Sequence, residues 1–559
     1  MRGLPGLEPG RATGTAMVVA GRLAAAERAR PRRPLQRLWL RVRGLARRHR
    51  RLASVGGAAL LLVGVVRVVQ IADRPRLCRA AGDRVEGVWD AATKSRVCQA
   101  FEQTGKPYAS DTFWSVDRLL QDYLGRWRGM YTDACEATHV RGEQSEEVLD
   151  LRMTCLRDRL DGVRSLSQLL VHADGAVVDN AVGAAGALGS LERCADARIL
   201  RNIAPPDDAA TREQVARIRA GIADAKALHD AGVERLALAK LQGLVGDARR
   251  VRYAPVEAET LLLFGEVASL TGDNEAAYAA FKEALLKAEA ARSDDVKAEA
   301  LVYLVLAAGR RARFEEADDW ASQADATLQR IGGHQQMRAW LEMHIAVNRR
   351  LQGRYDEALV HDRRALELKQ QSGASRGEIA RSLNNQAVIL QDMGRTQEAE
   401  ALFDRAVTDL GQELGAEHPL VATFISNQAE SLDRLGRHEE ARVAYHRAVS
   451  IEERGYGPDS TNLAYPLTGL GLSYLADHQA AMAVAPLERA RVIREAHETD
   501  PLLVADTDFA LARALWEANL DRARARRLAA AAEKAYGQKP TFAARSAEIE
   551  RWLDARARG

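Results

Sequence analysis

The chain has 559 residues, of which 5% are aromatic and 28% are charged, and its formal net charge at pH 7 is +3. No run of alternating β-branched residues is long enough to predict a sheet, so the composition excludes an all-β fold. The charge is unevenly distributed. Residues 1–51 contain 14 arginines and two glutamates, whereas the remainder of the chain is acidic overall.

An apolar segment follows the basic one. Residues 52–72 contain Arg67 as their only charged side chain, and 21 residues are enough to cross a bilayer as one helix. We predict a single transmembrane helix at 52–72. Because arginines concentrate just before it, we expect a disordered cytoplasmic segment at 1–51 and periplasmic or other extracytoplasmic domains after it. The alternative is a buried helix of a cytosolic protein. The basic segment lacks interleaved aromatic residues, so we predict no nucleic-acid partner.

All five cysteines lie between this segment and residue 195, and their spacing is not typical of a metal site. An oxidising compartment would favour disulfides. Cys135 and Cys155 lie on adjacent helical patterns joined by a polar turn, which predicts a bridge between them. A bridge between Cys78 and Cys194 is a weaker hypothesis, and we expect Cys98 to be unpaired. The alternative is that all five are reduced thiols in a cytosolic helical domain.

A pattern of the form Gly-x-x-x-Glu-Ala recurs through the second half of the chain. Three strong copies end at Ala358, Ala399 and Ala441. Weaker copies extend the series at intervals of 40–42 residues and end at Ala237, Ala277, Ala317, Ala483 and Ala523. A constant period of this length predicts a solenoid built from repeated supersecondary units.

Each unit reads as two helices joined at a glycine. In one unit a first helix has an apolar face, Gly394 ends it, and a second helix carries small residues where helices approach closely: Leu383, Ala387 and Leu390, then Ala399, Phe403 and Ala406. This unit resembles the tetratricopeptide repeat, and its length resembles the kinesin light chain type. The resemblance implies an all-α tetratricopeptide-repeat solenoid of about 7–8 helix pairs at 210–540. A Cys-containing helical domain at 74–205 would precede the solenoid, and a C-terminal helix at 541–559 would cap it.

A second resemblance covers the Cys-containing region. The segments 87–90, 100–108, 135–145, 149–155 and 194–196 resemble the extracytoplasmic region of large bacterial serine/threonine protein kinases, notably those of myxobacteria. In that family a kinase domain precedes the transmembrane helix. This chain has no glycine-rich loop with a strand lysine, no His-Arg-Asp and no Asp-Phe-Gly motif, so no catalytic residue of the family can be assigned here. We therefore predict no enzyme activity and no cofactor.

The candidate site residues lie on the first helices of the strong repeats. In tetratricopeptide folds such positions face a groove, and an asparagine amide there can both donate to and accept from a peptide backbone. We predict a peptide-binding groove around Asn385 and Asn427, which we align at equivalent positions. The other candidates on this face are Arg381, Asn384, Gln391 and Arg434. The alternative is that these are solvated polar positions.

Two functions remain open. The first is a membrane-anchored, non-catalytic module that senses or scaffolds a peptide or protein partner and takes no small-molecule substrate. The second is the sensory portion of a receptor serine/threonine kinase whose catalytic domain is missing from this chain.

Overall fold

The computed structural model describes residues 78, 84–202, 206, 208–332, 334–497, 500–538 and 542–557. All regular secondary structure in these ranges is α-helical or 3-10 helical. The predicted all-α class and helical solenoid are therefore confirmed for this part of the chain.

The described residues 78 and 84–202, here called the N-terminal region, form a helical cluster. Its helices are α1 Ala91–Gln103, α2 Ala109–His139, α3 Glu146–Val171, α4 Gly175–Gly186 and α5 Ala197–Asn202, with a 3-10 turn at Glu192–Ala195. The side chains of Asp90, Ser145 and Asp174 accept hydrogen bonds from first-turn N–H groups and so begin α1, α3 and α4. Where α2 meets α3, the buried Trp127 indole donates a hydrogen bond to the Leu156 carbonyl (2.8 Å).

Eight helix pairs follow in the described residues. Their first helices are α6 Ala209–Asp230, α8 Ala254–Leu270, α10 Asp294–Arg310, α12 Gln335–Leu351, α14 Arg376–Asp392, α16 Pro419–Arg434, α18 Ala464–Ala476 and α20 Pro501–Glu517. Their second helices are α7 Glu234–Val251, α9 Asn274–Ala290, α11 Phe314–Ile331, α13 Tyr355–Gln371, α15 Thr396–Leu414, α17 His438–Tyr456, α19 Ala480–His497 and α21 Arg522–Gly537. A last helix, α22 Ala543–Ala557, packs on α21.

The repeated alanines lie inside the helix pairs. Each closing alanine from Ala237 to Ala483 is the fourth residue of a second helix and is fully buried. In the last pair the fourth residue is Ala525, which is fully buried, whereas the expected Ala523 is exposed. Ala523 lies in the first turn of α21, before the point where small residues are needed, so that prediction was wrong by two positions.

The turn between paired helices keeps one backbone shape even where glycine is missing. Gly394 and Gly436 have φ of +77° and +78°, the left-handed conformation that ends a helix. In the weaker repeats, Ala312, His478 and Asn519 adopt φ of 56°, 57° and 54° at the same turn. The Gly-x-x-x-Glu-Ala pattern is therefore weaker in these units, although the turn keeps the same backbone conformation.

The first helices of neighbouring pairs lie closer together than the second helices do. First helices contact one another directly along most of the described solenoid. Second helices are bridged instead by long side chains, as from Arg489 to Glu453 and from Arg524 to Glu488. The solenoid therefore curves towards the first helices, and we call the surface that they line the inner surface.

The disulfides differ from the predicted pairing. Cys78 pairs with Cys135 and Cys155 pairs with Cys194, each with a Cα–Cα distance of 5.5 Å. The predicted Cys135–Cys155 and Cys78–Cys194 bridges were wrong, whereas Cys98 is unpaired as expected. Cys135 lies four residues before the end of α2, but Cys155 lies nine residues after the start of α3. At about 1.5 Å per residue this offset separates their levels by roughly 7 Å along a helical hairpin.

The membrane prediction also requires correction. None of the helices in the described ranges is long and apolar enough to cross a bilayer. The segment proposed as a transmembrane helix, 52–72, lies outside the described residues, as does the basic segment 1–51. The single transmembrane helix, the membrane contact and the N-in, C-out localisation inferred from them are therefore withdrawn.

Gly309 tests the close approach of first helices. A Cβ atom at Gly309 would lie 1.8 Å from Oδ1 of Asn348, whose Nδ2 donates to the Val305 carbonyl (2.9 Å). Gly309→Ala should lower the free energy of unfolding by about 1–3 kcal/mol, measured by urea denaturation, because α10 and α12 must separate.

The matched control is Gly243→Ala. Gly243 also lies inside a helix, and a Cβ atom there would meet nothing within 4 Å. This change should raise stability by roughly 0.5–1 kcal/mol, the usual gain of alanine over glycine in a helix. Equal effects of the two substitutions would contradict the proposed packing of α10 on α12.

Candidate functional site

The inner surface begins with an acidic part on α6, α8 and α10 that meets the N-terminal region. Glu259 of α8 accepts hydrogen bonds from Arg219 of α6 at 2.9 and 3.0 Å, and Arg219 lies 3.5 Å from Asp158 of α3. Burial raises the pKa of Asp158 to about 6 despite the attraction of Arg219. The Arg219 guanidinium thus joins the N-terminal region to two first helices.

Further acidic side chains lie on the same helices. Burial, reinforced by the negative charge of Glu299, raises the pKa of Glu266 to about 7, and burial also raises the pKa of Glu299. Lys226 and His229 of α6 supply nearby positive charge, and His229 Nδ1 lies 2.9 Å from Glu234. In the part of the chain that the structure describes, no group of histidine, cysteine or acidic side chains is arranged to hold a metal ion.

Arg193 makes a second contact between the N-terminal region and this acidic part. It lies on the 3-10 turn, and its Nη2 is 2.6 Å from Asp295 in the first turn of α10. Asp295 is 1% exposed and also lies 3.3 Å from His334. Ser165 of α3 donates to Asp224 of α6 (2.7 Å). These contacts leave the first part of the inner surface covered by the chain itself.

The N-terminal region also reaches the loop before α16 and the last turn of α17. His418 Nε2 donates to the Asp179 carbonyl of α4 (3.0 Å), and Nδ1 accepts from the Leu420 N–H (3.1 Å), which caps α16. These two partners require a neutral imidazole with its proton on Nε2. Burial lowers the pKa of His418 to about 4, which agrees with a neutral ring near neutral pH.

Neighbouring side chains extend this second anchor. Lys106 donates to the Gly455 carbonyl at the end of α17 and pairs with Asp179 at 3.3 Å. The Tyr108 hydroxyl donates to Asp179, and its ring centroid lies 4.9 Å from that of His418. Glycine is required at Gly455, because a Cβ atom there would lie 2.7 Å from the Pro419 ring.

The later part of the inner surface lies on α12, α14, α16 and α18. It carries exposed apolar and exposed polar residues. Apolar side chains lie at its two ends: Val347 and Leu351 are 36% and 54% exposed, and Tyr465 and Leu472 are 44% and 42% exposed. The polar residues predicted from the sequence lie between them. We call this surface, with the members Val347, Leu351, Arg381, Asn385, Asn427, Arg434, Tyr465 and Leu472, the open strip.

Asn427 is hydrogen-bonded to the neighbour of Asn385. Its Nδ2 donates to Oδ1 of Asn384 (3.0 Å), and Asn384 is 9% exposed, whereas Asn385 is exposed. The first helices α14 and α16 end 42 residues apart, and the turns at Gly394 and Gly436 have the same spacing. Asn385 and Asn427 share this spacing, and only the bond between Asn427 and Asn384 was missed from the sequence.

The other candidates have distinct environments. Gln391 is 7% exposed and therefore not available to a ligand. Arg434 pairs with Glu430 at 2.7 Å, and Glu430 also accepts from the Tyr465 hydroxyl (2.6 Å). Arg381 is exposed and forms no ion pair with a described carboxylate. The groove itself stays a prediction.

Sequence reasoning missed the residues that join the N-terminal region to the repeats. His418 precedes Pro419, and a polar side chain before a proline signals the start of a helix, so its capping role could have been read from the sequence. Its bond to Asp179 could not, because 239 residues separate the two.

A family model described as tetratricopeptide repeat matches residues 337–411, 378–451 and 420–496. Residues 337–496 are tetratricopeptide repeats. The matched residues include all of the open strip. They include no part of 74–205, so the resemblance of that region to bacterial receptor kinases stays a prediction. No curated protein matches the chain.

Several solved structures are similar to parts of the chain. A kinesin-light-chain protein of Podospora anserina with nearly identical TPR-like repeats is 19% identical, with coverage of 36% of this chain and 96% of that one and a TM-score of 0.32. A Rap protein complexed with competence and sporulation factor is 16% identical, with coverage of 74% and 100% and a TM-score of 0.43. A signal-transduction ATPase with a tetratricopeptide repeat sensor, from Pyrococcus horikoshii, is 16% identical, with coverage of 74% and 66% and a TM-score of 0.44. TM-scores below 0.5 support no inference about this chain.

Two asparagine variants test the hydrogen bond from Asn427 to Asn384. Asn427→Ala should lower the free energy of unfolding by about 1–3 kcal/mol, because it leaves the buried Asn384 oxygen without its donor. Asn385→Ala should change it by less than about 0.5 kcal/mol, since Asn385 is exposed. Urea denaturation of the whole chain measures both. A larger loss for Asn385→Ala than for Asn427→Ala would contradict the hydrogen bond from Asn427 to Asn384.

His418 predicts a pH dependence. Its pKa is about 4 in the folded protein against an ordinary value of 6.5, so its contribution to stability is present above pH 6.5 and decreases as the pH falls towards 4. The full loss is on the order of 3 kcal/mol. His418→Asn keeps an oxygen that can cap α16 but does not titrate.

The variant should be less stable than the natural protein near neutral pH, and this difference should shrink as the pH falls from about 7 to about 4. Unfolding free energies of both proteins across this range give the comparison. Other titrating groups, such as Glu266, are present in both and cancel to first order. A constant difference would contradict the lowered pKa of His418, because it would mean that the folded and unfolded states bind this proton equally.

Proposed function

We propose that this chain is a peptide- or protein-binding repeat protein and that its partner lies as an extended segment along the open strip. The observation that carries the proposal is Asn385. Its amide is exposed in the middle of the strip and forms no hydrogen bond to another described residue, whereas the neighbouring Asn384 already accepts from Asn427.

An unpaired amide suits an extended peptide backbone. A carboxamide has two N–H donors and an oxygen with two lone pairs, so Asn385 can donate to one peptide carbonyl and accept from one peptide N–H. Asn427 uses one N–H to bind Asn384 and keeps its second N–H and its oxygen. The two amides lie on neighbouring first helices and can therefore address successive parts of one peptide.

The apolar ends define the length of the segment. From α12 to α18 there are three steps between neighbouring first helices, each of about 8–10 Å for packed helices. An extended chain advances about 3.3 Å per residue, so the strip accommodates roughly 7–9 residues. Apolar partner side chains would pack on Val347 and Leu351 at one end and on Tyr465 and Leu472 at the other.

Arg381 adds a preference for negative charge. Two exposed arginines on the neighbouring first helices are already paired, Arg350 with Asp392 and Arg434 with Glu430, both through contacts of 2.8 Å or less. Arg381 has no such partner among the described residues. A carboxylate on the bound segment near Asn385 would supply it, and charge-assisted hydrogen bonds to a guanidinium are among the stronger polar contacts.

A peptide-display selection tests this function. Random nonapeptides are selected on the purified whole chain, and enriched peptides are measured by fluorescence anisotropy. Leu472→Asp should weaken binding at least about tenfold, because it places a charge in the apolar end of the strip, and Asn385→Ala should weaken it by about threefold to tenfold.

The control is Val443→Asp. Val443 is 67% exposed on the second helix α17, away from the inner surface, and its substitution should leave the affinity unchanged. Failure to enrich any peptide, or an equal loss in the control, would refute the proposed site.

A further inference from the structure

The N-terminal region contacts the solenoid at two separate places. At the first anchor, Arg193 and Ser165 contact α10 and α6 through Asp295 (2.6 Å) and Asp224 (2.7 Å). At the second, His418 and Gly455 beside α16 and α17 contact α4 and the segment before α2. Two complete helix pairs, α12–α13 and α14–α15, lie between α10 and α16 along the solenoid.

Most of the open strip lies between these anchors. α12 and α14 follow the first anchor, and α16 is capped by His418 at the second. A region fixed at both places sets the bend between α10 and α16. The spacing of Val347, Asn385 and Asn427, which lie on the three helices α12, α14 and α16, depends on that bend.

The first anchor is supported by a disulfide. Arg193 lies on a 3-10 turn of four residues, Glu192–Ala195, and the adjacent Cys194 is bonded to Cys155 of α3. The turn also has polar support: Arg152 Nε donates to the Cys194 carbonyl (3.2 Å), and Glu192 accepts from Ser190 and lies 3.7 Å from Arg126. A turn this short has little hydrogen bonding of its own, so the bond to α3 fixes the direction of the Arg193 side chain.

The second disulfide, Cys78–Cys135, lies away from both anchors and can be compared with Cys155–Cys194. Cys78–Cys135 joins the start of the described chain to the last turns of α2. Cys194 and Cys155 belong to or pack against the buried cluster that continues from the N-terminal region into α14–α17, whereas Cys78 and Cys135 do not. Loss of Cys78–Cys135 therefore leaves both anchors in place.

We propose that the N-terminal region is a brace that sets the geometry of the open strip, and that the Cys155–Cys194 disulfide makes this brace sensitive to redox conditions. A dithiol reductant opens the bond by two successive thiol–disulfide exchanges. The reductant becomes a cyclic disulfide, and Cys155 and Cys194 each gain one hydrogen and become thiols. The 3-10 turn then releases Arg193, Asp295 loses its nearest cation, and α10 is no longer held to the N-terminal region.

The test measures amide hydrogen exchange of the whole chain, with no ligand present. Cys155→Ser/Cys194→Ser should increase exchange in the first turns of α10 and in residues 413–420 by about tenfold or more, because both anchors act through one rigid region. Cys78→Ser/Cys135→Ser should leave exchange in those segments unchanged. Equal effects of the two double variants, or no change in the solenoid for the first, would overturn the brace.

Arg193 variants keep the proposal testable if the first double variant does not fold. Arg193→Gln retains both disulfides and removes the ion pair with Asp295, and it should raise exchange at the start of α10 in the same way. Arg193→Lys should restore most of the protection. Unchanged exchange in Arg193→Gln would overturn the proposed route from the disulfide to α10.

The redox effect on binding rests on the function proposed above and is measured separately. With a selected nonapeptide, Cys155→Ser/Cys194→Ser should bind at least about fivefold more weakly than Cys78→Ser/Cys135→Ser. If hydrogen exchange increases but peptide affinity does not change, the N-terminal region is a brace that does not control binding at the open strip. If no peptide binds the natural protein, the proposed function fails while the exchange result still decides the brace.

Discussion

Close approach between helices is the constraint on which this structure depends. In each pair the fourth residue of the second helix is a fully buried alanine, and a larger side chain there would hold the paired helices apart. The same demand recurs between pairs, where Gly309 leaves room for Asn348 to reach the Val305 carbonyl. Because every pair repeats this spacing, curvature towards the first helices follows, and with it a continuous inner surface.

Contacts with the N-terminal region contribute to the stability of the solenoid. Residues 78–559 form one compact unit, so the boundary placed between 74–205 and 210–540 stays a prediction about sequence rather than a visible break in packing. Carboxylates such as Glu259 and Asp295 are partly or fully removed from water, and arginines on α6 and on the 3-10 turn compensate their charge. A buried carboxylate without such a partner would destabilise the fold by several kcal/mol.

The inner surface has two parts that differ in their side chains and in their exposure. Its first part is acidic and is covered by the chain itself, whereas its later part is amide-rich, apolar at both ends and exposed. The exposed part coincides with residues 337–496, where the repeat pattern is strongest. The covered part uses its polar groups for internal contacts, so they are not available to a partner. Recognition and internal bracing therefore occupy different stretches of one repeated surface.

The sequence by itself determined the helical class, the repeat period and the turn at Gly394, because these depend on local periodicity and backbone preference. Cys98 was also correctly predicted to be unpaired. Only the tertiary structure decided the partners of the four other cysteines, the hydrogen bond from Asn427 to Asn384, and the contact of His418 with Asp179. Each of these depends on how far one helix is shifted along another or on which distant segments meet. A shift of one residue moves a side chain by only about 1.5 Å along the axis but rotates it by about 100°. Sequence periodicity does not determine how far one helix is shifted along another. The packing of whole helices determines that shift.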